Sequence, residues 1–231
     1  MSPFRPVPAP RHDLSVRNAL EASRRFRATM ASRRSIRHFS DEPLDLELVR
    51  NALVVANSAP SGANIQPWHF VVVTDPSVRR LIRREAEAEE TEFYSSKASK
   101  EWLAALEPLG TDARKPFLEI APVLIVVFEV HRSEVAPQPY YVKESVGIAV
   151  GFLLAALHHS GLATLTHTPS PMRFLNRILD RPRHERPYVV IPVGKAAPEA
   201  TVPDIDKKGL DEVSTWIGDH GDPSTGDTRD A

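Results

Sequence analysis

The residue types best able to bind or react with a small molecule fall in three places. Between Arg79 and Lys115 the chain is long, charged and poor in glycine. It reads Arg79-Arg80-Leu81-Ile82-Arg83-Arg84-Glu85-Ala86-Glu87-Ala88-Glu89-Glu90-Thr91-Glu92-Phe93-Tyr94, then passes Trp102 and ends at Asp112-Ala113-Arg114-Lys115 before Pro116. Glu90 and Tyr94 are four apart, so on a helix they share a face. A connection of this length between strands is usually functional or structureless. It reads either as a solvated helical excursion or as a lid whose polar groups hold a charged small molecule. Upstream, Arg33-Arg34-Ser35-Ile36-Arg37 places three arginines in five residues. That is a solvated basic edge or, because guanidinium forks match phosphate oxygens, an anion clamp. The third place is the turn-rich loop Ser58-Ala59-Pro60-Ser61-Gly62-Ala63-Asn64-Ile65-Gln66-Pro67-Trp68. Gly62 and its small neighbours let backbone N–H groups come close to a ligand.

The elements that must position these residues follow from the rest of the chain. With 231 residues and 42% hydrophobic composition, it can bury a sizeable core. There is no cysteine, which excludes disulfides, thiolate catalysis and cysteine-ligated metal centres. No metal site is expected. A formal net charge of −1 gives no global field for nucleic acid. No apolar run approaches the ~20 residues that span a bilayer, and the N-terminus has no signal-like apolar region. The chain reads as a soluble, cytoplasmic protein.

Residues 1–12 are proline-rich and expected to be extended or disordered, and the polar residues 219–231 to be a disordered tail. The spacing of Leu14, Leu20, Phe26 and Met30 predicts an amphipathic helix from Asp13 to about Ala31. Ser35–Phe39 has the alternation of a short strand. Asp45 caps a helix over Leu46–Asn57, with Leu48, Ala52 and Val55 as its apolar stripe. A strand follows at His69–Val73, and Asp75-Pro76 opens the Arg79–Lys115 excursion. Ala121–Val130 reads as a buried central strand. Tyr140–Ser160 reads as a helix apolar on most faces, at the centre of the domain or of a dimer, ended by Gly161. Ala163–Thr166 is a short strand, Ser170-Pro171 opens another helix, and Tyr188–Val193 is the last strong strand. An extended arm begins after Gly194. This order predicts one α+β domain over residues 13–218, with a mixed sheet flanked by helices.

These pieces, in this order, resemble the FMN-dependent nitroreductase superfamily and, within it, the iodotyrosine deiodinases. The likeness runs from about Ser32 to Leu210. It is strongest at Arg33-Arg34-Ser35-Ile36-Arg37, Ala59-Pro60-Ser61-Gly62-Ala63 with Pro67-Trp68, Leu153-Leu154-Ala155-Ala156-Leu157, and Pro192-Val193-Gly194 with Glu199-Ala200-Thr201-Val202-Pro203. The resemblance implies a homodimer binding FMN and reductively dehalogenating halotyrosines, with NAD(P)H or a flavin reductase as electron donor. It places Glu90, Tyr94 and Lys115 in a lid over residues 79–115, gripping the amino-acid end of the substrate, with Trp102 matching a lid tryptophan. It places Arg33, Arg34, Ser35 and Arg37 around the FMN phosphate and pyrimidine edge, and Pro60 and Ser61 along the ring system. Thr168 takes the position whose hydroxyl meets flavin N5, and the Ala63 N–H the position that holds the substrate phenolate.

Two departures stand out. Lys207 occupies the place of the family's distal phosphate arginine and supplies charge without a fork. His167 replaces a threonine usual beside Thr168 and reads either as structural or as tuning the flavin. The competing functions are a general nitroreductase or quinone reductase, the flavin-cannibalising branch of the superfamily, and a flavin-binding halotyrosine sensor without turnover.

Overall fold

The computed structural model describes residues 5–132 and 138–218, apart from the side chains of Lys97 and Lys100. Residues 1–4 and the whole expected tail at 219–231 therefore lie outside the described residues.

A strand buried on both faces needs apolar residues at every position, not at alternate ones. β2 (Val123–Val130) meets that condition. Val123, Ile125 and Val127 join one core cluster, while Leu124, Val126 and Phe128 join the other. β2 sits between β1 (Trp68–Val73) and β4 (Glu185–Gly194), and β3 (Ala163–Thr164) closes the order β1-β2-β4-β3. All three pairings are antiparallel. The parallel component of the expected mixed sheet is a single bridge between Ser35 and Thr164. Residues 35–39 form no continuous strand, only that bridge and a second from Phe39 to Ala196.

Helices cover both faces. On one side α2 (Leu46–Asn57) packs on α6 (Val142–His159), whose Val146, Ala149, Leu153 and Leu157 are sealed from solvent. On the other lie α3 (Pro76–Glu92), α5 (Phe117–Ile120) and α7 (Phe174–Ile178), through Ile82, Ala86, Leu118 and Leu175. α4 (Lys100–Leu106) belongs to the excursion between β1 and β2, and α8 (Leu210–Val213) ends the extended arm.

Several local expectations shift. α1 (Val16–Ala31) forms behind a Ser15 cap but buries no residue. Its Leu20 and Phe26 lie exposed, and it meets α6 through Thr29 O, 2.8 Å from His158 Nε2. In α2 the buried stripe is Val49, Ala52 and Ala56, while Val55 faces outward. α6 is sealed on one side only, since Ile148 and Phe152 stay exposed. α7 does not start at Ser170-Pro171. Its first turn is built on the carbonyls of Met172 and Arg173, which accept from Leu175 and Asn176. β4 starts three residues earlier than its strongly apolar part, and the ladder skips register between Val127 and Phe128, where Pro187 lacks an N–H.

Gly194 ends β4 where backbone and side chains meet closely. A Cβ there would sit 2.9 Å from Pro122 Cδ and 3.1 Å from Phe39 Cδ1. Gly194→Ala is expected to destabilise the fold by about 1–3 kcal/mol through overpacking, measured as a lower urea midpoint at unchanged m-value.

Candidate functional site

The excursion between β1 and β2 is helical, and its start is well determined. Asp75 Oδ1 accepts from the N–H groups of Ser77 and Val78, with Pro76 in the first turn. α3 then anchors on buried Ile82 and Ala86 and carries Glu87 and Glu90 near its end. A π-type turn over Phe93–Lys97 follows, so Tyr94 leaves the regular helix one turn after Glu90. Phe93 stacks edge-on against both Tyr94 (5.4 Å between centroids) and Trp102 of α4 (5.0 Å).

Lys115 closes the excursion and is 3% exposed. Its Nζ lies 3.3 Å from Glu90 Oε2 and donates to Thr111 Oγ1 at 3.2 Å and to the Asp112 carbonyl. Its backbone N–H donates to Glu87 Oε1 at 2.7 Å, and Arg83 binds that same oxygen at 2.8 Å. The ammonium also stands 5.6 Å from the Tyr94 ring centre. Tyr94 Oη donates to the Thr111 carbonyl at 3.3 Å. Burial pushes the Glu90 carboxyl above its ordinary range, against the pull of Lys115. Burial also pushes the Tyr94 phenol up, so it stays neutral.

Glu90, Tyr94, Trp102, Thr111 and Lys115 line a cavity of about 800 Å³ together with Arg37, His167 and Thr168. The opposite wall is the sheet, through Pro187, Tyr188 and Val189 of β4. Alternation beyond β3 turns Thr166 and Thr168 toward the open side while His167 goes in. His167 is fixed by two main-chain bonds with Val190, each 2.9 Å, and its ring stands edge-on to Phe117 at 5.4 Å. Its Nε2 is buried without a hydrogen-bond partner, 4.0 Å from Glu90 Oε1. Burial, then the charges of Lys115 and Arg37, push its pKa down to about 3.

Arg37 is partly withdrawn from water, which lowers its pKa against the effect of Tyr94. It has no carboxylate partner among the described residues. A desolvated, unpaired guanidinium suits an anionic ligand. A second cavity of about 620 Å³ shares Arg37, Thr111 and Phe117 and extends to Arg83, Arg114 and Thr201–Pro203.

The structure thus gathers Arg37, Glu90, Tyr94, Lys115 and Thr168, with Trp102, around one space. Arg33, Arg34 and Ser35 do not line it. Arg34 donates to the Pro203 carbonyl and so ties the arm to the arginine segment, and Ser35 bridges to Thr164. Pro60, Ser61 and Ala63 lie apart in the loop after α2, where Gly62 packs near Tyr140 and Tyr141. Ala63 there takes a left-handed conformation, φ 48°. Lys207 is exposed on the arm and reaches neither cavity. Sequence reasoning missed Glu87 and Thr111. The Glu87 contact spans 28 residues and closes only in three dimensions, while Thr111 lies four residues from Lys115 in a loop with no motif to mark it. Among the described residues no group of three or more histidines, aspartates or glutamates is placed to hold a metal ion.

His167 makes stability pH-dependent. Unfolded, the ring takes a proton near pH 6.5, and folded not until about pH 3. Between those values the unfolded state binds the extra proton, so stability rises with pH. The contribution is full above pH 6.5 and is lost as pH falls toward 3, by up to about 1.4 kcal/mol per unit. Urea titrations at about pH 7 and about pH 5 should show this loss. His167→Gln should reduce it.

Residues 30–195 match the model of the Nitroreductase family. An iodotyrosine deiodinase of Haliscomenobacter hydrossis is 53% identical over 194 residues, covering 82% of this chain and 87% of that protein. Iodotyrosine deiodinase 1 of Homo sapiens is 38% identical over 218 residues, covering 91% of this chain and 75% of its own. A crystal structure of oxidized iodotyrosine deiodinase bound to FMN and 3-iodo-L-tyrosine superposes with a TM-score of 0.72 at 33% identity, over 83% of this chain and 100% of that one. The chain belongs to the nitroreductase family and, within it, to the iodotyrosine deiodinases.

Proposed function

We propose that this chain is an FMN-dependent reductive dehalogenase of halotyrosines. The observation that carries the reading is the convergence of Glu90, Tyr94 and Lys115 from a long excursion onto one cavity, beside Thr168 and Arg37, in a member of the deiodinases. The residues present fit FMN. Arg37 offers a cation partly withdrawn from water and without a carboxylate partner among the described residues, and the cavity of about 800 Å³ that it lines is of ordinary cofactor size. Of the residues the family assigns to it, Arg37 would hold its polar edge and Thr168 its N5 from the wall of this cavity. Arg33, Arg34, Ser35 and Lys207 would reach its phosphate, and Pro60 and Ser61 its ring face, from outside the cavity of one chain. Bound and reduced, FMN supplies the two electrons that, with a proton, replace the halogen by hydrogen and release halide.

The protein's own part is to bind, orient and exclude water. A halotyrosine at neutral pH carries an ammonium beside a carboxylate. Glu90 accepts from the first, Lys115 neutralises the second, and the neutral Tyr94 hydroxyl donates to the same end. The Ala63 N–H holds the phenolate. Folding residues 79–115 over the substrate removes water from these contacts and strengthens them.

The enzyme works as a cytoplasmic homodimer. Two observations support the dimer: Pro60–Ala63 does not reach the cavity of its own chain, and α6 leaves Ile148 and Phe152 exposed. No helix among the described residues is long and apolar enough to cross a membrane. Electrons reach the flavin from NAD(P)H or through a flavin reductase.

Quenching of bound-flavin fluorescence tests the substrate. Glu90→Gln should weaken 3-iodotyrosine by about tenfold or more, the equivalent of roughly 1.4 kcal/mol, and leave iodophenol almost unchanged. Equal binding of iodotyrosine by both proteins would remove the lid assignment. Arg37→Ala should lower flavin affinity by roughly 10–100-fold, read as flavin lost on dilution and gel filtration.

A further inference from the structure

His167 is the one buried side chain among the described residues whose polar atom has no partner. Such atoms are rare in native interiors, and each calls for a reason. This one is not loosely placed. Main-chain bonds to Val190 on both sides and the edge-on Phe117 ring fix the imidazole in the cavity wall. Its Nε2 faces Glu90 Oε1 at 4.0 Å, while Lys115 holds Oε2 at 3.3 Å. The Glu90 carboxylate therefore stands between the Lys115 ammonium, which it engages, and a ring nitrogen about an ångström beyond hydrogen-bonding distance.

We infer that His167 is a positioning residue for the substrate's ammonium site, donating from Nε2–H to Glu90 Oε1 when the zwitterion draws Lys115 toward its carboxylate. The inference rests on the proposed reading of Glu90 as the ammonium acceptor. Glu90 rides on the end of α3, so a small movement of the excursion closes the gap to a ring fixed on the sheet side. Hydrogen bonds of this kind are commonly long in unliganded sites and tighten in the complex.

The chemistry of the ring suits the task. The charges of Lys115 and Arg37 act on it and Glu90 stands 4.0 Å away, and burial keeps it neutral. A neutral N–H orients a carboxylate without cancelling its charge, so Glu90 keeps its full attraction for an ammonium. A second cation in that place would compete with the substrate. His167 would thus act on the amino-acid end of the ligand and not on its phenol.

The test uses the FMN-loaded enzyme and two probes, 3-iodotyrosine and iodophenol, with affinities read from flavin fluorescence. His167→Phe keeps the ring and removes the donor. It should weaken iodotyrosine by roughly 5–50-fold and leave iodophenol unchanged. His167→Gln, whose amide N–H can stand in for Nε2–H, should recover most of that loss. In a Glu90→Gln background His167→Phe should have little further effect on iodotyrosine. Equal losses for both probes, or no loss in a His167→Phe protein with native flavin content and melting temperature, would overturn the inference. So would a halotyrosine affinity that titrates near the ordinary imidazole pKa and loses that dependence in His167→Gln. Should His167→Phe fail to fold, His167→Gln and His167→Leu compared on the same probes carry the same decision. Failure of Glu90→Gln to affect iodotyrosine would instead remove the underlying lid reading.

Discussion

Burying a lysine ammonium with a glutamate, at side-chain exposures of 4% and 14%, costs several kcal/mol per ion before any attraction is counted. One contact at 3.3 Å does not offset that. The surroundings do much of the rest. Thr111 and the Asp112 carbonyl take the remaining ammonium protons, and Glu87 takes the Lys115 N–H while held by Arg83. These bonds join the end of α3 to the loop that precedes α5. They shape the cavity wall, because Glu90, Thr111 and Lys115 all line it. A single buried cation thus organises the path of a long excursion that has little core of its own.

The two walls of the cavity differ in how they are held. Pro187–Val189 and His167 belong to a sheet packed on both faces, where β2 and β4 share a long antiparallel ladder. Beyond Ala86 the excursion contributes few buried apolar groups, and Trp102 is 56% exposed. Phe93 holds both Tyr94 and Trp102 edge-on, so the stretch coheres locally without being sealed to the core. Segments with few buried contacts open at low cost in free energy. A fixed wall facing a weakly held one suits a site that must admit a ligand and then exclude water.

How much of this was legible in the sequence follows from how local each cause is. The two-faced burial of β2 shows as an unbroken apolar run, and the start of α3 shows in Asp75-Pro76, because capping needs only neighbours. The start of α7 was misplaced because Ser170-Pro171 satisfies the same local rule in a loop that turns elsewhere. The burial of Lys115 is not legible from its neighbours, since nothing adjacent to it reveals that Glu87 and Glu90 meet it from far along the chain. The grouping of Glu90, Tyr94, Lys115 and Thr168 came from family resemblance, not spacing. In the sequence His167 reads only as structural or flavin-tuning, and its unpartnered Nε2 becomes visible once Phe117, Val190 and Glu90 are placed around it.

The pairing of Glu90 with Lys115 also bears on selectivity. The two groups assigned to opposite charges of the substrate satisfy each other before it arrives. A zwitterion can replace that one ion pair with two, so neither buried charge is left exposed to an apolar wall. A ligand with only a carboxylate would take Lys115 and strand Glu90, and one with only an ammonium would strand Lys115. Leaving one member of a buried pair uncompensated is more costly than never having formed it. On the proposed reading, such a clamp would discriminate by what it refuses as much as by what it attracts, favouring a ligand that carries an ammonium and a carboxylate on one carbon.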